Sequence, residues 1–200
     1  MRTLCLFHSA QKRGNMAIKD SGARRQFYTP DGREAGVRDI AEGKGRCDLL
    51  PLIEVSGVTG DLVLHDIGEF MKTGVTHYIY KAVARFVDAE FPDFPTAMLE
   101  YAIHMEEGCG KYGERNWEKG IPCHCYVDSG VRHLLKCRRG DTDERHDRAF
   151  LWNMFGLLWT LENRPELNDL PKYEVQGHEE EDPTCMCATS AEPDSTLRLF

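Results

Sequence analysis

The chain has 200 residues, 41% of them hydrophobic and 29% charged, with 33 acids against 25 lysines and arginines and a net charge of −8. That length supports one domain with a sizeable core, and the missing basic excess disfavours a nucleic-acid binder, although a nucleotide needs only a local positive patch. No apolar run approaches the length of a membrane helix, and Leu4–Phe7 is too short for a secretory core, so the expected setting is cytoplasmic.

Taken in order, residues 1–19 read as a disordered extension, followed by a single domain over 20–165 whose first part, 20–52, is an arm. Residues 20–48 are rich in Gly, Arg and Asp without apolar periodicity, and Arg24, Arg25, Arg38, Lys44 and Arg46 give them positive charge. Such an arm can fold across a site and bring cations to a triphosphate, with Gly43 and Gly45 letting the backbone approach. A solvated loop fits the same residues, and E-G-K-G-R lacks both the spacing and the Ser/Thr of a P-loop.

Helical apolar spacing then appears at Leu49–Val55, at Leu62–Met71, and most cleanly at His77–Glu90 through Ile79, Val83, Phe86 and Val87. Pro92 and Pro95 separate that helix from three more: Ala97 to about Gly110, roughly Tyr126–Arg139, and His146 to about Glu162. Pro165 and Pro171 close the ordered part, leaving 166–200 as a flexible acidic tail. Within it, residues 174–200 carry seven acids against Arg198 alone, a contribution of −6. The body is therefore almost neutral.

At 100° per residue, Glu100, His104 and Glu107 share one face of the first of these helices, with Lys111 just past its end. The second places Asp128, Arg132, Leu135 and Arg139 on one side and Val127, Val131 and Leu134 on the adjoining one. On the third, Asp147 heads the apolar stripe Phe150, Leu151, Met154, Leu158 and Leu161, beside a stripe of His146, Ala149, Asn153 and Gly156. Carboxylates at the edge of apolar stripes are costly to bury unless a cation neutralises them, so the set suggests a divalent-metal site. Any one of them alone reads as a solvated face or a local ion pair. A lone histidine beside an apolar face, as with His104 and His133, is more often structural than a proton carrier.

The turn Lys111-Tyr112-Gly113-Glu114-Arg115-Asn116-Trp117 combines cations, an amide and an indole. A base could stack on Trp117, Asn116 could read a purine edge, and Lys111 or Arg115 could reach phosphate; alternatively the indole anchors core packing. Eight cysteines raise the question of zinc, with Cys123-His124-Cys125 near Cys109 and Cys137. No second pair of matching spacing accompanies it in the body, and Cys185-Met186-Cys187 lies in the tail, so free thiols are expected and disulfides are not.

Five ordered segments, DSGARRQF from Asp20, GVRDIAEGKGRCDLLPL from Gly36, HMEEGCGKYGERNWEKGIP from His104, DSGVRHLLKCRRGDTDE from Asp128 and HDRAFLWN from His146, resemble the phage-type dATP/dGTP diphosphohydrolases, distant relatives of the MazG-like nucleotide pyrophosphohydrolases. The resemblance spans about Asp20 to Leu161. It implies an all-α, MazG-like helical bundle that cuts a purine deoxynucleoside triphosphate (dGTP or dATP) between its α and β phosphates. It further implies Mg²⁺, with Mn²⁺ as a substitute, a homodimer or homotetramer, and a phage or prophage protein that controls the dNTP pool in the host cytosol.

In the wider group the metal ligands come from a Glu-x-x-Glu and a Glu-x-x-Asp on successive helices, a pattern from which this chain departs. Glu144-x-x-Asp147 straddles a helix start, and Glu107 with Glu100 or Glu106 stands in for the first half. By that resemblance Glu100, Glu106, Glu107, Asp128, Glu144 and Asp147 are the metal candidates, and Glu107, Asp147, Arg132 and Lys111 carry the chemistry. Lys44, Arg46, Asn116, Trp117, Arg139, His146 and Asn153 are the nucleotide-binding candidates. Two alternatives stay open. His146-Asp147, preceded by His104 and His133, also fits an HD-type phosphohydrolase, and the irregular carboxylate motif fits a non-catalytic nucleotide-binding module.

Overall fold

The computed structural model describes residues 24–39 and 43–171; the proposed extension 1–19, the acidic residues from 172 onward and the Cys185–Cys187 pair lie outside the described residues. Arg24–Tyr28 (β1) and Glu34–Asp39 (β2) form an antiparallel hairpin pairing Arg25 with Arg38 and Gln26 with Val37, with an irregularity between Gln26 and Tyr28. Its turn is built by chemistry suited to the job: Thr29 accepts the Gly32 amide at 2.9 Å, Pro30 presets the bend, and Gly32 adopts φ +86°. The arm is thus extended, as its composition suggests, and it is also paired and docked. Gly36 donates its amide to the Gly120 carbonyl at 2.6 Å, an approach so close that a Cβ there would sit 2.8 Å from that oxygen.

Six helices follow: α1 Leu52–Thr59, α2 Leu62–Thr73, α3 His77–Glu90, α4 Phe94–Tyr112, α5 Cys123–Arg139 and α6 His146–Asn163. Asp61 starts α2 by accepting the amides of Val63 at 2.9 Å and Leu64 at 3.2 Å, and Asp93 starts α4 by accepting that of Thr96 at 2.7 Å. Pro95 therefore sits inside the first turn of α4, where its missing N–H costs nothing, rather than ahead of the helix as a separator. A 3-10 turn at Asn116–Lys119 links α4 to α5.

The core lies between α2, α3, α5 and α6. Ile79, Val83, Phe86 and Val87 of α3 are all buried, as their spacing predicts, and Phe86 meets Phe150 of α6 with ring centroids 4.1 Å apart. The stripe headed by Asp147 is also buried through Phe150, Leu151, Met154 and Leu158. Helices α5 and α6 run antiparallel: Tyr126 packs on Trp152 and Gly156, Gly130 on Met154, and His133 on His146. Small residues at Gly130 and Gly156 let the two backbones approach.

Helix α4 differs from the others. Only Ala97 of its 19 residues is buried, while Phe94, Leu99 and Ile103 are exposed. The packed chain also continues past the expected end at Pro165. Leu167 is buried in a short 3-10 turn, and Asp169 accepts the His124 amide at 2.9 Å at the start of α5.

Candidate functional site

Arginine side chains of α6 and the turn before it tie that region to α4. Arg148 donates from Nε to Glu100 at 2.6 Å, and Arg145 reaches the same carboxylate at 3.0 Å. Arg145 also grips Asp147 with two bonds, of 3.0 and 2.7 Å. Arg148 extends to Glu107 at 3.6 Å, and Glu107 lies 3.8 Å from His104 Nδ1. The expected shared face of Glu100, His104 and Glu107 is thus assembled against Asp147. Two guanidiniums stand among these acids, and they are the residues that sequence reading left out. Their signal was present in R-H-D-R at 145–148, a basic pair flanking the supposed ligand.

Burial raises the Asp147 carboxyl, but hydrogen bonds from Arg145 and the Arg148 amide, with both guanidinium charges, outweigh it and hold the group below the usual carboxylate range. Burial pushes His104 down, opposed by Glu107 and Glu144.

One turn away, Glu144 approaches two imidazoles. Its Oε1 lies 3.2 Å from His133 Nδ1 and 3.1 Å from His146 Nδ1, and the two nitrogens are 3.1 Å apart. His146 Nε2 faces Asp143 at 2.8 Å, and Asp143 is held from its other side by Lys136 at 2.9 Å. Burial, reinforced by the charges of His146, Arg38, Lys136 and Arg132, drives the His133 pKa down to about 2 and keeps that ring neutral. Asp143 and Lys136 are further residues that the sequence did not single out.

Asp128 and Arg132 stand elsewhere on α5, where they clamp the arm. Asp128 accepts the Cys47 amide at 2.6 Å and pairs with Arg132, which donates to the Gly45 carbonyl at 3.0 Å. The arm also sends Arg38 inward, donating to the Cys125 carbonyl at 2.9 Å and to Asn153 Oδ1 at 3.4 Å, with its guanidinium 5.6 Å from the Trp152 ring centre. Arg38 and Arg132 therefore concentrate positive charge beside His133.

The remaining candidates are dispersed. Asn116 is buried and locks onto β2, accepting from the Val37 amide at 3.3 Å and donating to its carbonyl at 3.1 Å. Trp117 packs edge-on against Trp159 at 5.2 Å. Arg46 pairs with Asp48 at 2.5 Å, Arg139 donates from Nε to Asp141 at 2.7 Å, and Asn153 donates to the Ala149 carbonyl at 2.7 Å. Lys111 and Glu106 are exposed on α4, and Lys44 is half-buried in the arm. In Cys123-His124-Cys125, His124 turns to Asp169 and to Cys125 Sγ at 3.3 Å, and the described cysteines are free thiols.

Among the described residues, two groups bring three potential ligand atoms within 4.8 Å of one another: His133, Glu144 and His146, and Asp141, Asp143 and His146. The six carboxylates expected to hold Mg²⁺ do not make one such group. Glu100 and Asp147 are taken up by arginines, Asp128 by Arg132, and Glu144 by imidazoles. Two hollows, near Phe70 and Leu161 and near Asp61 and Arg85, lie away from all of these clusters. No helix among the described residues is long and apolar enough to cross a membrane.

No curated protein and no solved structure gives a significant match to the chain. Residues 74–170 match the family model described as dATP/dGTP diphosphohydrolase, N-terminal, a span that starts at the end of α2 and takes in α3 to α6 with both the arginine–carboxylate and the histidine clusters. The arm, including the resembling segments from Asp20 and Gly36, lies ahead of that span. Over residues 74–170, just under half of its length, the chain is similar to the dATP/dGTP diphosphohydrolase family.

Proposed function

We propose that the protein hydrolyses purine deoxynucleoside triphosphates to the monophosphate and pyrophosphate, and that in a phage or prophage setting it controls the dNTP pool of the host cytosol. The observation that carries this reading is the family match over residues 74–170, whose span contains Glu100, His104, Glu107, Asp147 and the arginines between them. In that reaction a water oxygen attacks the α-phosphorus, the bond from that phosphorus to the bridging oxygen breaks, and pyrophosphate leaves with the electron pair. The water must lose a proton, and Glu107, more than half exposed, is the acceptor that this reading assigns. Arg145, half-exposed, and Lys111 are the cations that the substrate phosphates would meet, with Arg145 exchanging Glu100 for a phosphate oxygen.

The carboxylates do not form a ready magnesium cage, because arginines already hold Glu100 and Asp147. Mg²⁺ is therefore proposed as the companion ion of the substrate, arriving as the metal–triphosphate complex. The HD-type alternative needs the aspartate of the His146-Asp147 dipeptide to join the histidines, and here Arg145 draws it 2.7 Å to itself.

Product analysis by ion exchange, with each of the four dNTPs in Mg²⁺ and in EDTA, tests the reading. Purine monophosphate with pyrophosphate, lost in EDTA, is the expected result. Tripolyphosphate would favour the HD-type reaction, and nucleotide-dependent thermal stabilisation without product would favour a binding module.

A further inference from the structure

Three atoms from three parts of the chain converge on one point: Nδ1 of His133 in the middle of α5, Oε1 of Glu144 in the α5–α6 turn, and Nδ1 of His146 at the start of α6. Their separations are 3.2 Å from His133 to Glu144, 3.1 Å from His146 to Glu144 and 3.1 Å between the imidazoles. In a nearly equilateral triangle of that size, a cation bonded at about 2.1 Å to each corner stands roughly 1 Å off the plane, with ligand–metal–ligand angles of about 97°. Those values lie between the facial angle of an octahedron and the tetrahedral angle, and they leave further coordination positions on the open side.

The surroundings set the chemistry of the corners. His146 is 1% exposed, and its Nε2 lies 2.8 Å from Asp143, whose other oxygen is held by Lys136 at 2.9 Å. With the Asp143 carboxylate accepting from Nε2–H, the ring turns its Nδ1 toward Glu144 and His133. This is the carboxylate–histidine arrangement that orients metal-bound imidazoles. Among the described residues the ion pairs of Glu144 are with these two rings and with no lysine or arginine, which sets it apart from Glu100, Asp128 and Asp147. The other nearby group, Asp141 with Asp143 and His146, is already neutralised by Arg139 and Lys136. Glu144 is 51% exposed, so an ion reaches the triangle from solvent.

We propose that His133, Glu144 and His146 bind one divalent first-row transition ion, of the class of Zn²⁺, Co²⁺ or Mn²⁺, which clips the α5–α6 turn to the body of α5. Two imidazoles with one carboxylate select such ions over Mg²⁺, which favours all-oxygen shells. The site is independent of the proposed hydrolysis, which assigns Mg²⁺ to the substrate.

The test uses the full chain, stripped with chelator and titrated with Co²⁺, read by visible absorption and calorimetry, with Zn²⁺ as competitor and excess Mg²⁺ present. One equivalent of Co²⁺ is expected, displaced by Zn²⁺ and not by Mg²⁺, with a rise in melting temperature on binding. Glu144→Gln and His133→Asn should each weaken binding at least tenfold, and Asp143→Asn roughly tenfold to a hundredfold. The double variant Cys123→Ser/Cys125→Ser should bind as the parent does. Glu144→Gln changes a half-exposed side chain, and circular dichroism checks that it stays folded. Absence of Co²⁺ binding by the parent chain would overturn the proposal and leave a shared proton at the centre of the triangle. Binding that survives both Glu144→Gln and His133→Asn, or that is lost with the cysteines, would overturn it too. None of these readings uses a nucleotide, so failure of the dNTP reaction is seen separately.

Discussion

Arg148 of α6 donates to Glu100 of α4 across 2.6 Å, joining residues 48 apart in sequence, and its side chain is only 10% exposed. The pair explains how α4, with one buried residue, is held on the bundle. Removing one partner of such a pair leaves the other charge desolvated, and the more buried partner suffers more. Glu100→Gln leaves Arg148 only its longer contact with Glu107 at 3.6 Å, whereas Arg148→Met leaves Glu100 with Arg145 at 3.0 Å. With Glu100 partly open to solvent, Glu100→Gln should cost roughly 2–3 kcal/mol and Arg148→Met less. Urea denaturation of the two variants measures this, and an unchanged midpoint for Glu100→Gln would mean that its carboxylate is not structural.

The contact between α5 and α6 makes a second prediction, because its two glycines face different neighbours. A Cβ at Gly156 would meet the Tyr126 ring at 2.5 Å, and that ring is fully buried. One at Gly130 would meet the terminal methyl of Met154 at 2.3 Å, the far end of a flexible side chain. Gly156→Ala should therefore destabilise by about 1–3 kcal/mol, and Gly130→Ala by clearly less. Thermal melts that rank them in the opposite order would place the rigid contact at Gly130.

Helices were legible in the sequence because burial on one face leaves a period, as Ile79, Val83, Phe86 and Val87 illustrate. The identity of each charge's partner was not. Asp128 looked like a metal candidate, yet Arg132 four residues on is its local partner, and the Cys47 amide comes from 81 residues away. Asn116, expected to read a base, also brackets β2, a contact that no local pattern could reveal. The facing of His133 and His146 depends on the antiparallel register of α5 and α6, set by the small residues at their crossing. Pairing across the fold is a tertiary property, and a single sequence carries only its ingredients.

The segment after α6 is tethered by an ion pair whose pH dependence can be stated with its sign. Hydrogen bonds to Asp169, and then to Cys125, raise the His124 pKa to about 10. A histidine with a raised folded pKa contributes fully below its unfolded value of about 6.5 and loses that contribution as pH rises toward 10. Asp169 is held below the ordinary range: burial raises it, but the His124 hydrogen bonds and charge outweigh that effect. Its contribution is present above about pH 4 and lost as pH falls. The tether is thus strongest from about pH 4 to 6.5, and since both side chains are about two-fifths exposed, it is worth no more than about 1 kcal/mol. An NMR titration should find His124 titrating well above 6.5 in the parent chain and near 6.5 in Asp169→Asn. An ordinary value in the parent would dissolve the tether.

The exposed face of α4 leads to the last prediction. Leu99 is 70% exposed and Ile103, one turn on, 41%, with Phe94 also open at the helix start. Apolar side chains at i and i+4 form a continuous strip, and such a strip on a helix otherwise held by charged pairs is better covered than solvated. A second copy offering the same strip across a two-fold axis would cover it, in keeping with the homodimer or homotetramer that the family resemblance implies. That copy would also stand beside Glu100 and Glu107, which adjoin Leu99 and Ile103 on the helix, and would help to enclose a substrate near the arginine–carboxylate cluster. Sedimentation of the parent chain at micromolar concentration should show a dimer or larger species, and Leu99→Glu/Ile103→Glu should be monomeric with its helical content kept. Lower purine dNTP turnover in that folded monomer would follow if the second copy completes the site. A parent chain that sediments as a monomer would instead leave the strip as ordinary exposed surface.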